Sequence, residues 1–328
     1  MKPMRSNVLV LRLMLLSLAV VAVAALGTAP AQDDEASGQT GKEVVIKLKK
    51  EFITKYKLKA TIETEFTVDQ VGKVHPAKED GDLHVSGRAK EVGLPIVAEL
   101  MNAKERKDAQ QALKDAQKNK TAVKVNGAWR LWCEHAGGKP QVQGAELQPF
   151  AKSNPDHVFE IHPITKVGDK DVLKSIKVIK GFKPKEAHTA FVHYENVKCQ
   201  IEPGADTTTI RTVMAGYNHV KFVIEPLEKP ADHKVVEDGR FVMCAVRDLE
   251  GELVVRKVRM VFLKGTSGEA MIKKLDKEKR RVVLGIPRID LSLVEWRVKN
   301  KANADKPLTW NLPYEMIVVG VYPATETP

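Results

Sequence analysis

The sequence predicts a mainly β protein with few helices, built as two OB-like β-barrel domains that each carry one short helix between strands 3 and 4. Three observations predict it. From Val44 the chain is rich in β-branched residues, and segments such as Thr54–Val71 alternate apolar and polar residues with period two, the mark of strands with one buried face. Each half holds five strand-like segments able to close a barrel, and in each half a small helical pattern falls after the third. Beyond an expected leader, about 300 residues exceed what one core serves comfortably, so two domains are the default.

Residues 1–31 read as a cleavable secretory signal peptide. Lys2, Arg5 and Arg12 make a positive start, Leu13–Leu26 is an apolar run of 14 residues broken only by Ser17, and Ala29-Pro30-Ala31 offers the small residues a signal peptidase reads. The run falls short of the roughly 20 apolar residues a membrane anchor needs. No later segment reaches that length, so the expected location is exported, periplasmic or extracellular. Residues 32–43 are polar and small and read as a disordered leader.

The first domain is expected over residues 44–168. Thr54–Val71 places Tyr56, Leu58, Ala60, Ile62, Thr64 and Phe66 on one parity, with Lys and Glu dominating the other. A turn at His75-Pro76 and Glu79-Asp80-Gly81 leads to strands Asp82–Arg88 and Leu94–Met101. Asn102 is placed to cap a helix running to about Lys118, with Ala109, Ala112, Leu113 and Ala116 as its small apolar side. Strands Thr121–Cys133 and Val158–Val167 complete the set.

Residues 169–187 form a connector too apolar to be a flexible linker. The second domain, 188–328, opens with extra strands at His188–Ile201 and Thr207–Met214. Its core strands are expected at Asn218–Pro226, Arg240–Leu249, Leu253–Leu263, Arg281–Ile289 and Glu315–Tyr322, with a helix at about Ser267–Leu275.

Three stretches carry a likeness: Asp80-Gly81-Asp82-Leu83-His84, Val97-Ala98-Glu99-Leu100 and Val158-Phe159-Glu160-Ile161-His162-Pro163. Together they resemble a group of uncharacterised exported bacterial proteins with an OB-type domain of staphylococcal-nuclease-like layout. The likeness covers residues 45–168; Leu284-Gly285-Ile286-Pro287-Arg288 adds a less specific match in the second half. It implies a fold and no reaction. The Asp80-Gly81-Asp82 turn fits the nuclease pattern, but Glu99 stands where that fold places an Arg, and no Asp-x-Pro-Glu element follows Leu100. Phosphodiester cleavage needs a metal, a base and an aimed cation together.

One constellation carries chemistry. Asp82 and His84 share a strand face, as do Glu160 and His162, and Glu99 belongs on the neighbouring strand. Paired as in an OB barrel, these five bring two His and three carboxylates together, a mixture suited to a divalent metal such as zinc, manganese or iron. The competing reading is a polar network that pins strand register. Trp129, Arg130 and Trp132 form a weaker binding candidate. The two Trp have opposite parity, so one is expected in the core and one exposed, able to stack a sugar or base.

Cys133, Cys199 and Cys244 match no zinc spacing and are expected as buried free thiols, Cys199 with Cys244 being the pair best placed to bridge otherwise. Three of the 53 basic residues and none of the 42 acidic ones fall in residues 1–31, so the remainder carries +8 of the formal +11. That surplus is spread out rather than striped. Gly-rich phosphate loops, Gly-x-Ser-x-Gly elbows and His-Glu-x-x-His helices are absent. The favoured expectation is an exported non-enzymatic binding or assembly protein of the cell envelope, with no required cofactor and an unknown protein or anionic polymer as partner. The alternatives are a metal-dependent hydrolase on the His/carboxylate cluster and an oligonucleotide- or polysaccharide-binding protein.

Overall fold

The computed structural model describes residues 41–300 and 308–327. The expected signal peptide, and all of the leader before residue 41, lie outside the described residues. The first half runs β1 (Glu43–Lys49), α1 (Lys50–Tyr56), β2 (Thr61–Val74), β3 (Leu83–Arg88), β4 (Ile96–Leu100), α2 (Lys107–Asn119), β5 (Ala122–Leu131), β6 (Gln141–Val142), β7 (Phe159–Val167) and β8 (Lys170–Asp171). The second runs β9 (Lys185–Glu186), α3 (Ala187–Asn196), β10 (Lys198–Pro203), β11 (Thr207–Val213), β12 (Val220–Pro226), β13 (Lys234–Val236), β14 (Gly239–Arg247), β15 (Leu253–Leu263), α4 (Ser267–Ile272), β16 (Arg281–Ile289), α5 (Leu291–Asn300), β17 (Thr309–Asn311) and β18 (Tyr314–Val321).

Two barrels close. In the first, β2 pairs with β3, β3 with β4, β4 in parallel with β7, β7 with β5, and β5 back with β2. In the second, β12 pairs with β14, β14 with β15, β15 in parallel with β18, β18 with β16, and β16 back with β12. Both orders read 1-2-3-5-4 around the barrel, with one parallel contact between the third and fifth strands. α2 and α4 each sit between the third and fourth strand of their barrel. This is the OB arrangement, made twice.

Local sequence accounts for the helices. α2 turns Ala109, Leu113 and Ala116 inward onto the first barrel. Asn102 does not cap it. Its backbone is left-handed at φ 48°, and its side-chain amide donates to the Ser175 and Lys177 carbonyls, so it pins the connector and the helix starts five residues later. α4 is opened by Thr266, whose Oγ1 accepts from Glu269 N, while the Glu269 carboxylate accepts from Gly265 N.

Three segments depart from the expected strands. His188–Ile201 holds a helix, α3, before β10, because Ala187, Ala190, Phe191 and Tyr194 are buried at helical spacing. Residues 54–56 end α1, which buries Phe52, Ile53 and Tyr56, so the first barrel strand begins only at Thr61. α5 was not anticipated; it buries Leu291, Val294 and Arg297. The extra strands β10 and β11 join β1, β6 and β17 in a flanking sheet, with β1 antiparallel to β11 from Glu43↔Val213 to Lys49↔Thr207.

The barrels pack directly on each other. On β14, β15, β16 and β18 one parity fills the second barrel's interior, including Val242, Met260, Phe262, Val283 and Val318. The other parity, including Phe241, Val261, Leu263, Leu284, Ile286, Ile317 and Val319, meets Ala60, Met101 and Ala128 of the first half and Ile176 and Ile179 of the connector. Strands buried on both faces carry apolar residues at both parities.

Polar groups hold the same seam. Arg288 Nε pairs with Glu315 Oε1 at 2.8 Å, its Nη1 donates to the carbonyl oxygens of Trp129 and Ala60, and its guanidinium lies 3.6 Å from the Trp129 ring centroid. Arg259 bridges Glu315 and Asp290. Asp290 Oδ1 also accepts from Ser292 N and Leu293 N, capping α5. Burial, then the nearby Glu315, push the Asp290 carboxyl up to about 6 against the pull of Arg259.

A carboxyl raised in the folded state favours folding below its unfolded pKa, and that advantage is lost as pH rises through the folded value. Asp290→Asn, which keeps the capping oxygen, is therefore expected to flatten stability between about pH 4 and 7. Wild type should lose up to about 3 kcal/mol more than the variant over that window, read from urea midpoints. Parallel pH curves for the two proteins would count against it.

Candidate functional site

The residues singled out from sequence do meet. His84 on β3 is registered with Glu99 on β4, and the parallel contact of β4 with β7 brings Glu160 and His162 alongside. All four point away from the barrel interior, on the parity opposite Val85, Ala98 and Ile161. Asp82, in the turn just ahead of β3, joins them. Asp82 and His162 are 0% exposed, Glu99 and Glu160 2% and His84 7%, so the cluster is closed to solvent.

His162 is the hub. Its Nε2 lies 3.4 Å from Asp82 Oδ2, while its Nδ1 lies 3.0 Å from Glu99 Oε2 and 3.4 Å from Glu160 Oε2. Neither ring nitrogen is angled for a hydrogen bond, and Asp82 Oδ2 has no hydrogen-bond partner either. His84 Nε2 stands 3.5 Å from Glu99 Oε2, and His157 Nε2 stands 3.4 Å from Glu160 Oε1. Arg130 on β5 is registered with Glu160; its Nη1 reaches Glu160 Oε2 at 2.5 Å and its Nη2 reaches Glu134 at 3.0 Å.

The charges follow from these neighbours. Burial pushes the Asp82 carboxyl up to about 6, against the pull of His162. Burial alone would lower His84, but Glu99 beside it outweighs this and holds it up at about 9. Burial also works to raise Glu99 and Glu160; His162 and His84 hold Glu99 well below the usual range, and Arg130 does so for Glu160.

A further histidine, not singled out from sequence, completes the group. His219, immediately before β12 of the second barrel, packs its ring 5.4 Å from that of His162 and 5.4 Å from Phe182. Burial, then the neighbouring His162, lower its pKa to about 3, so its ring is neutral. Its Nε2 has no hydrogen-bond partner. Nothing in the local sequence marks it, since its relation to His162 depends on how the barrels dock.

Trp129, Arg130 and Trp132 lie elsewhere than at a surface. Trp129 Nε1 donates to the Lys59 carbonyl, Arg130 Nε donates to the Pro287 carbonyl of the other barrel, and Trp132 packs edge-on to Tyr194. Both Trp are buried, which corrects the expectation that one would be exposed. Parity fails at Trp132 because β5 ends at Leu131. Cys133, Cys199 and Cys244 are free and buried.

Strand order and helix placement define a tandem OB-barrel protein. No protein-family model matches the chain, and no curated protein matches it. Among solved structures it is similar to the Ifi202 HINa domain in complex with 20-base-pair double-stranded DNA, at 9% identity over 79% of this chain and 99% of that one, with a TM-score of 0.17. A likeness at that level says nothing about the ligand. Among the described residues, no helix is long and apolar enough to cross a membrane.

Proposed function

We propose that this is an exported, non-enzymatic binding or assembly protein of the cell envelope. The observation that supports it is the docking of the barrels. OB barrels usually meet oligonucleotides or oligosaccharides on the face of strands 2 and 3. Here Phe241, Val261 and Leu263 of β14 and β15 lie in the seam between the barrels. On β3 and β4 the outer residues His84, Ser86 and Glu99 are buried too, with Ser86 Oγ donating to the Lys152 carbonyl of the chain that runs over them. Neither face is open to a polymer. The closed His/carboxylate cluster has the same bearing, because turnover needs room for a substrate. Export rests on the pattern of residues 1–31.

The test has two arms. Expressed in a bacterial host, the chain is expected in the exported fraction with Gln32 at its N-terminus; retention of residues 1–31 on a cytoplasmic product would overturn export. Screened against phosphodiester, ester and glycoside substrates with divalent ions present, it is expected to show no turnover that disappears in His162→Ala. Labelled oligonucleotide is expected to bind weakly at best. Tight binding that falls steeply between about 50 and 200 mM salt would favour the polyanion reading, for which the formal surplus of basic residues beyond residue 31 is the supporting feature.

A further inference from the structure

We propose that Asp82, His162 and His219 form a binding site for one divalent transition-metal ion, zinc foremost, that ties the first barrel to the second. One donor atom from each of the three lies within 4.8 Å of the others, and all three side chains are buried. Asp82 Oδ2, His162 Nε2 and His219 Nε2 are all without hydrogen-bond partners. Buried polar atoms are nearly always satisfied, so unpartnered atoms on three side chains gathered this closely point to a ligand between them.

Spacing identifies its kind. Zinc–nitrogen and zinc–oxygen bonds of about 2.0–2.1 Å at a tetrahedral angle separate neighbouring donors by about 3.3 Å. His162 Nε2 and Asp82 Oδ2 are 3.4 Å apart. Two imidazoles and a carboxylate suit zinc and its first-row neighbours and disfavour calcium and magnesium, which take oxygen.

The surroundings prepare the ligands. With His162 Nε2 on the ion, its Nδ1 lies 3.0 Å from Glu99 Oε2, so a small turn of the ring would complete the carboxylate–histidine arrangement that fixes the tautomer of a metal-bound imidazole. Asp82 is steadied through its other oxygen, which accepts from Asn102 N at 3.3 Å. Glu99, Glu160 and His162 also converge, but Arg130 already occupies Glu160, and a guanidinium there opposes a second cation. Glu99 is therefore a positioning residue, and Glu160 serves Arg130.

Cobalt titration of the purified, chelator-treated chain tests this. Wild type is expected to bind one equivalent of Co²⁺ with the intense visible absorption of four-coordinate cobalt, bleached by one equivalent of Zn²⁺. X-ray absorption of the zinc-loaded chain is expected to show two imidazoles. His219→Gln and Asp82→Asn are expected to weaken binding at least about 100-fold, Glu99→Gln about 10–100-fold, and His135→Gln not at all. Absence of saturable cobalt binding by folded wild type, or a zinc spectrum without imidazole, overturns the site even if every variant misfolds. Unchanged affinity in folded His219→Gln overturns the assignment of that ligand and with it the tie between barrels.

Discussion

Arg288→Ala is expected to lower the free energy of unfolding by about 3–5 kcal/mol, the usual loss when one partner of a buried pair is removed. Arg288 and Glu315 are both fully buried, and registered opposite each other on β16 and β18. Removing the guanidinium leaves Glu315 to Arg259 alone. It also removes the hydrogen bonds that the guanidinium gives to Trp129 O, Ala60 O and Lys59 O, the last keeping its bond from Trp129 Nε1, and opens a void over the Trp129 ring. Arg288→Lys retains a charge but cannot serve the carboxylate and the carbonyls from one planar fork, so most of the loss should remain. Urea unfolding near pH 7 measures it. A loss below about 1 kcal/mol in Arg288→Ala would mean the pair contributes no more than an exposed one.

The barrels themselves were legible because their strands obey simple parity. Ile62, Thr64, Phe66 and Val68 alternate cleanly with exposed or half-exposed residues along β2, and the five-strand order follows once the helix is placed after the third strand. α3 departs from the expected strand over His188–Ile201 for a physical reason: its buried positions, Ala187, Ala190, Phe191 and Tyr194, fall at helical intervals. The cluster of Asp82, His84, Glu99, Glu160 and His162 was legible too, since adjacent OB strands fix which residues share a face.

What escaped is whatever depends on docking. His219 and Arg288 acquire their roles only when the second barrel meets the first, and no local pattern announces that contact. One signal was present without being read. Gly127-Ala128-Trp129-Arg130 on β5 and Gly285-Ile286-Pro287-Arg288 on β16 repeat a Gly-x-x-Arg spacing on the fourth strand of each barrel. Each Arg is registered with a Glu on the fifth strand, Glu160 or Glu315. Each Gly is required by close approach: a Cβ would sit 2.5 Å from the Ile161 side chain at Gly127 and 2.8 Å from the Phe222 ring at Gly285.

That repeat makes the seam reciprocal, and Arg130→Ala is expected to match Arg288→Ala with its own loss of about 3–5 kcal/mol. Arg130 donates across the seam to Pro287 O, one residue before Arg288, while Arg288 donates back to Trp129 O, one residue before Arg130. Without Arg130, the buried Glu160 has lost its cation and sits close to Glu99 in a closed site. Glu160→Gln added to Arg130→Ala should recover part of the loss by removing the stranded charge. Because each arginine holds the strand that presents the other, the two truncations should not add. The double variant is expected to fall short of the sum of the single losses by about 0.5–3 kcal/mol, and additivity within about 0.5 kcal/mol would show two independent pairs.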